Sequence, residues 1–249
     1  MERAAPDGGG PFAFGYPPAM PRSLQPRAGQ RPRGTPSKQA DLPRDVLEEV
    51  HRHTRPTAQR DAISRLSRAI GLLDRDDAAA AVVEAEKAKA LSPRSSSVRE
   101  VLGLALYGTE RWKDALAELK AYRRISGRND QNHVMADCLR ALGRPQDVVP
   151  LAEDALRDRS VPNEAKAEAV VVAASALADQ GRYPEALAFL GRAKTRADLA
   201  EPYTLRLWYV RGDVLDRAGR PEEAAAEFRK IVRHDPSAFD AAERLAALS

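Results

Sequence analysis

The 249-residue sequence contains one cysteine, Cys138, and little continuous apolar sequence. A single cysteine excludes an intramolecular disulfide. No apolar run approaches the roughly eighteen residues of a membrane-spanning helix. The basic N-terminus is not followed by the apolar stretch of a signal peptide, so we expect a cytoplasmic protein. Arg outnumbers Lys 32 to 8 and Ala is abundant, a composition typical of a bacterium with a GC-rich genome.

Motifs for catalysis and cofactor binding are also lacking. The sequence has no phosphate-binding loop, dinucleotide fingerprint or nucleophile elbow. His51 and His53 would point to different faces of a helix, which argues against a metal pair. His133 and Asp137 share a predicted helix face and could bind a metal or form an acid–base pair. Because only these two ligands are apparent, a polar pair on a solvated helix face is the favoured interpretation. Cys138 is interpreted as a packing residue. We therefore predict no catalytic residue, no cofactor, no metal site and no enzymatic activity.

The first forty residues lack the apolar pattern of a folded segment. They hold 8 of the 18 prolines and 6 of the 15 glycines. They also carry 6 basic and 2 acidic residues, so the formal net charge of +4 resides there. Such a segment cannot bury enough apolar surface to offset its ordering entropy. We predict that residues 1–40 form a disordered basic tail ahead of an electrically balanced body.

The body has an internal period close to 34 residues. Taking five turn positions as the register, the intervals between them are 34, 33, 38 and 38 residues. A small residue stands seven places before each turn, a Leu four places before it, and an Ala or Val five places after it. A period of this length predicts stacked helix hairpins. The turn positions are Asp76, Glu110, Gly143, Gly181 and Gly219, and the Leu column is Leu72, Leu106, Leu139, Leu177 and Leu215.

These residues resemble the tetratricopeptide repeat, which has Leu-Gly in its first helix, a Gly-x-Tyr turn, and small and aromatic residues in its second. The resemblance covers residues 60–236. It implies an all-α, right-handed solenoid of about five hairpins and says little about activity. The matching residues of the best copy are Trp208, Gly212, Gly219, Ala224, Phe228 and Pro236.

Short helices are expected at both ends of the solenoid. Apolar residues at helical spacing predict a helix over residues 43–53, which would cover part of the apolar stripe on the first repeat helix. Ser237 and Asp240 have a spacing similar to a capping box before a final helix. We therefore expect residues 41–56 to form a linker with an N-terminal capping helix, and residues 57–249 to form the solenoid with its C-terminal cap.

The resemblance also implies which side chains face the concave groove. Charges of both signs with interspersed Tyr favour a protein or peptide ligand over a polyanion. Glu168, Asp179 and Asp216 lie in these columns. The residues selected as partner-binding candidates are Tyr107, His133, Asp137, Arg140, Arg206, Tyr209, Asp213 and Arg217.

The leading hypothesis is a scaffold or adaptor that binds a partner segment in the groove. The alternative is an accessory protein of RNA or the ribosome, bound through the basic tail. The solvated faces of ordinary helices would show the same pattern of charges. No membrane partner is expected.

Overall fold

The computed structural model describes residues 42–193 and 202–248. The predicted disordered tail, residues 1–40, lies outside them. The described residues form twelve α-helices, with short 3-10 turns at Pro56–Ala58 and Pro145–Asp147. The all-helical prediction is therefore confirmed. The helices are α1 (Arg44–His53), α2 (Gln59–Leu73), α3 (Ala78–Leu91), α4 (Ser96–Gly108), α5 (Trp112–Ser126), α6 (Asn132–Ala141), α7 (Val148–Arg157), α8 (Asn163–Asp179), α9 (Tyr183–Leu190), α10 (Pro202–Arg217), α11 (Pro221–His234) and α12 (Ala241–Ala247).

Consecutive helices pack as hairpins, in the pairs α2/α3, α4/α5, α6/α7, α8/α9 and α10/α11. The chain divides into two compact units. In the first unit, described for residues 42–128, α3 packs on α4 and joins two hairpins. In the second unit, described for residues 129–193 and 202–248, α8 packs against both α6 and α10. The first helices of three hairpins therefore lie side by side in the second unit.

All five turns have the same backbone conformation. The turn residue has a positive φ in each hairpin, between 58° and 73°. The amide of the next residue donates to the carbonyl of the Leu of the recurring column, five places earlier, as in Arg220 to Leu215 at 2.9 Å. This is the bond that closes a helix whose C-terminus ends in a left-handed residue. Each Leu of the column thus has two roles: its side chain packs in the hairpin, and its carbonyl accepts the bond that ends the first helix.

Glycine brings the two helices of a hairpin together at two places. A Cβ added at Gly103 would lie 2.7 Å from Cγ of Leu119, and one at Gly212 would lie 2.9 Å from Cζ of Phe228. Both distances are too short for non-bonded carbon atoms. In these two hairpins, the large side chain of the second helix fills the space that a side chain at the glycine would occupy.

The second helices begin with a recurring ion pair. From the second hairpin onward, an Arg precedes the helix and pairs with an acid three residues later. The Arg220 Nε donates to Glu223 at 2.6 Å. These pairs are half exposed, so each contributes little to stability. The pairs are Arg111–Asp114, Arg144–Asp147, Arg182–Glu185 and Arg220–Glu223.

Helix α12 begins differently from the predicted capping box. Ser237 donates to Asp235 through both its amide and its hydroxyl, so it belongs to the preceding turn. Asp240 precedes α12 and makes no side-chain cap bond to it. Its Oδ1 instead accepts the Tyr209 hydroxyl proton at 2.6 Å. The capping-box interpretation was therefore wrong, because a tertiary hydrogen bond takes the carboxylate.

Candidate functional site

An alternating row of arginine and aspartate side chains crosses the first helices of the second unit. Arg140 of α6 donates from Nε to Asp179 of α8 at 2.6 Å. Arg217 of α10 reaches the other oxygen of Asp179 at 3.3 Å. Arg217 also lies 3.6 Å from Asp213 of its own helix. Two guanidinium groups, from the hairpins on either side of the α8/α9 hairpin, thus converge on one carboxylate.

The row continues onto the C-terminal helix. Arg244 of α12 lies 3.3 Å from Asp213 and 3.0 Å from Asp216. The side chains remain partly open to solvent, with 36% of Arg217 and 34% of Asp179 exposed. We call this set the charged row. It has three positive and three negative side chains: Arg140, Asp179, Arg217, Asp213, Arg244 and Asp216.

Nearer the start of the same helices is a second, more buried group of ionisable side chains. Arg206 of α10 lies 3.3 Å from Glu168 of α8, and each is less than a fifth exposed. Burial raises the pKa of Glu168, with the nearby Asp137 adding to the rise and Arg206 opposing it. Burial is the main cause that lowers the pKa of His133 to about 4; Asp130 opposes this shift and the charge of Arg206 adds to it. We call His133, Asp137, Glu168 and Arg206 the inner cluster.

His133 and Asp137 were expected to form a polar pair on one solvated helix face. His133 and Asp137 do lie on α6, but not on a solvated face. Asp137 is 5% exposed, and the His133 side chain is buried enough to shift its pKa. Asp137 also lies 3.8 Å from Arg140, which connects the inner cluster to the charged row. The packing of α6, α8 and α10 encloses positions that a single helix would leave open.

The two tyrosines selected as binding anchors are buried. Tyr107 is 6% exposed and its ring meets Trp112 edge to face, at 5.3 Å between centroids. Tyr209 is 4% exposed and packs between Phe228 and Phe239. Burial and the hydrogen bond to Asp240 raise the pKa of Tyr209. The prediction that both rings are open to a ligand does not fit these positions, because aromatic neighbours cover them.

Cys138 is fully buried. Burial, followed by the charge of Asp137, raises the pKa of its thiol to about 12. This shift disfavours the thiolate, which is the reactive form of cysteine. This agrees with its interpretation as a packing residue.

Sequence reasoning missed the contribution of Arg244. This residue lies in α12, outside the repeat register, so no column placed it beside Asp213 and Asp216. Asp179 and Glu168 stood in the correct columns but were not selected. Their importance comes from cross-helix partners 38 or 39 positions away, a separation close to the repeat period. An opposite-charge search at that separation would have found them.

Two general properties of the described chain bear on the kind of site. Across residues 42–193 and 202–248, no helix combines the length and apolar character needed to cross a bilayer. Within the same ranges, His, Cys, Asp and Glu side chains do not gather into a group of three or more suited to hold a metal ion.

Comparison with known families identifies the repeat. The sequence profile of the tetratricopeptide repeat matches residues 62–130, 134–202 and 205–248. These ranges cover most of the chain, so the protein belongs to the tetratricopeptide-repeat family. The family generally lacks catalytic activity and typically binds proteins or peptides. No curated protein matches the chain in sequence.

Solved structures show the same fold at low sequence identity. YrrB, described as a TPR protein with an unusual peptide-binding site, is 18% identical with a TM-score of 0.52, over 80% of this chain and 96% of that one. The apo quorum sensor NprR from B. thuringiensis is 14% identical with a TM-score of 0.62, over 82% and 61%. Human IFIT1, solved as a dimer with m7Gppp-AAAA, is 16% identical with a TM-score of 0.55, over 75% and 46%.

Proposed function

We propose that this protein is a non-enzymatic scaffold or adaptor that binds a segment of a partner protein along α6, α8 and α10 of the second unit. The observation that carries the proposal is the charged row, in which two partly exposed arginines, Arg140 at 18% and Arg217 at 36%, share Asp179 of the hairpin between them. Arg is one of the residue types that most often anchor protein interfaces. A partner segment lying across the helices would meet both guanidinium groups.

The balance of charge in the row favours a protein ligand over a polyanion. Each arginine of the row already faces an aspartate within 3.3 Å. Phosphate recognition depends on cations that are available to replace counterions. A segment with both acidic and basic side chains can exchange partners with the row pairwise, without leaving a surplus of one sign. Mixed charges of this kind set specificity and orientation more than affinity.

The inner cluster supports the same location. Ionisable groups with shifted pKa values concentrate at functional sites more often than elsewhere. His133 and Glu168 both have shifted pKa values on adjacent helices. Asp137 joins these enclosed groups to Arg140 at 3.8 Å, so the inner cluster would hold the row in position behind a docked segment.

The experiment is affinity capture on the immobilised full chain. An Arg140→Gln/Arg217→Gln variant removes the cations that share Asp179. The control, Arg182→Gln/Arg220→Gln, removes two arginines of the same unit that are more exposed, at 46% and 47%, and that form ion pairs at the starts of second helices. We expect the control to capture the same protein partner as the wild type and the row variant to lose it. Circular dichroism and melting should remain near wild type for both variants.

The outcomes separate the proposal from its alternative. If the row variant still captures the partner, the charged row is not the binding site and the proposal is wrong. If nuclease treatment or deletion of residues 1–40 abolishes capture and the row variant does not, the RNA or ribosome alternative replaces the proposal. Phosphate contacts weaken steeply with salt, so the same captures at low and high ionic strength give an independent reading. Capture that is specific to the row and resistant to nuclease supports the proposal.

A further inference from the structure

Helix α1 occupies a surface formed by two first helices of the first unit. It packs against both α2 and α4. Val46 and Val50, four residues apart on one face of α1, are buried. The opposite side of α1 is charged and exposed, with Arg44 paired to Glu48 in solvent. A chain segment outside the five hairpins therefore covers a position where first helices adjoin.

The polar half of this contact is the carboxylate of Glu49. Its Oε2 accepts a hydrogen bond from Ser95 Oγ at 2.6 Å. Its Oε1 accepts from the Ser96 amide at 2.6 Å and from Ser96 Oγ at 3.2 Å. Ser95 and Ser96 begin α4, and a carboxylate is favoured at a helix N-terminus by the helix dipole. Glu49 thus binds the hydrogen-bond donors at the N-terminus of α4.

We propose that the surface of α2 and α4 covered by α1 is a docking site for an amphipathic helix of a partner protein, and that α1 occupies it until such a helix displaces it. The required chemistry can be read from α1. The partner helix has two apolar residues four apart, to replace Val46 and Val50, and a Glu directly before the second. This surface lies in the first unit and does not depend on the proposed role of the charged row.

The short length of α1 favours its release from the surface of α2 and α4. Helix α1 has ten residues, and isolated helices of this length are marginal in water. Its helical form therefore depends on docking. By contrast, α4 contributes ten buried residues to its unit. A longer partner helix, already formed before binding, would avoid the ordering cost that α1 incurs.

A pivot for this exchange is present just after α1. The Thr54 hydroxyl donates to Ser92 Oγ at 2.7 Å in a buried contact, and Gln59 donates to the Thr54 carbonyl at 3.3 Å. Residues 54 and 59 stay bonded to their surroundings through contacts that do not involve Val46, Glu49 or Val50. Gln59 also donates to the His51 carbonyl of α1 at 3.0 Å, and release of α1 would break that bond. The buried bond between Thr54 and Ser92 would remain and hold the start of α2 in place.

The test uses the full chain and a labelled peptide of residues 42–56 as the probe. In the Val50→Asp chain, a buried valine becomes charged and α1 is released. The matched control is His51→Asp, which places the same charge at the next, exposed position. We expect the peptide to bind the Val50→Asp chain at least tenfold more tightly than it binds the wild type or His51→Asp. The covalently attached helix acts at an effective concentration in the millimolar range, and only the first variant removes that competition.

Two further measurements complete the test. A peptide carrying Glu49→Gln should bind the Val50→Asp chain several-fold more weakly, because a neutral amide is a poorer acceptor for the Ser95 and Ser96 donors. In the wild-type chain, excess peptide should accelerate hydrogen exchange of the amides of residues 44–53 and leave α4 protected. If the peptide binds the Val50→Asp chain no better than the wild type, or α1 exchange does not respond, the proposal fails. Should Val50→Asp not fold, the exchange measurement on the wild type decides alone.

Discussion

The two units share one hairpin design but differ at their turns and on their first helices. The left-handed turn residues are Asp76 and Glu110 in the first unit and glycine in all three hairpins of the second. The first unit covers two of its first helices with α1, which is fastened by Glu49. The second unit crosses its first helices with the charged row instead.

This difference shows which parts of a repeat tolerate change. The hydrogen bond from the residue after the turn to the Leu carbonyl is present in every hairpin, at 2.9 or 3.0 Å. It requires a left-handed residue but not a particular side chain, so Asp and Glu can replace Gly at a cost of about 1 kcal/mol. The faces outside the hairpin seam have no such common bond. Each unit has therefore acquired its own chemistry there.

The largest expected effect concerns the seam, which should behave alike in both units. Gly103→Leu and Gly212→Leu each place a side chain where Leu119 or Phe228 already lies. We expect a loss of about 1–3 kcal/mol in the free energy of unfolding, or more. Gly71→Leu is the matched control, because a Cβ there meets only the end of Arg75 at 3.8 Å. Urea unfolding followed by circular dichroism measures all three. A neutral result at both seam positions would contradict the shared design.

The next effect should distinguish the units by pH. The folded pKa of His133 is about 4, below its ordinary 6.5. As the pH falls from 6.5 towards 4, His133 is therefore protonated in the unfolded chain but stays neutral in the folded second unit. Stability should fall by about 1–2 kcal/mol between pH 7 and pH 5. His133→Gln should remove this fall. Glu168, whose pKa is raised, acts in the opposite direction, because the folded state takes up its proton at a higher pH than the unfolded state does.

Tryptophan fluorescence assigns the pH effect to a unit. Trp112 lies in the first unit and Trp208 in the second, and the sequence has no others. In the Trp112→Phe chain, Trp208 reports the unfolding of the second unit, and the reverse holds for Trp208→Phe. An equal loss of stability in both units on acidification, unaffected by His133→Gln, would remove His133 as the cause.

The smallest expected effect tests the turns. Glu110→Gly should stabilise the first unit by about 0.5–1 kcal/mol, since φ is 60° there and glycine adopts that value without strain. The converse, Gly181→Ala at φ 73°, should cost the second unit about 1 kcal/mol. Thermal melts of the single-tryptophan chains show each shift separately. If both substitutions shift the melting temperature in the same direction, the strain of the turn residue does not explain the difference in turn stability between the units.

The hairpin fold could be predicted from the sequence because its determinants recur. Five turns in register place Leu215 and its four counterparts at the same backbone bond, and the structure has a positive φ at every one of the five positions. The pattern that predicts the turn lies within a few residues, and it occurs five times in the one sequence. The seam is likewise local, since Gly212 and Phe228 lie in the same hairpin.

The candidate site was less accessible to sequence reasoning. Helix spacing placed Arg140 and Arg217 on first helices, but not on one shared carboxylate. It could not show that Phe239 and Asp240 would cover Tyr209, because α12 lies outside the repeat. It also could not show that α1 contacts α4 as well as α2.

The sequence by itself determined the repeat, its register, its turns and the close approach of the two helices in each hairpin. These depend on residues within a few turns of one another, where backbone geometry dictates which side chains meet. Only the tertiary structure decided which charges are paired, which tyrosines are buried and that α1 extends from α2 onto α4. Those outcomes depend on side chains tens of residues apart, whose burial and partners exist only once neighbouring hairpins and terminal helices have packed.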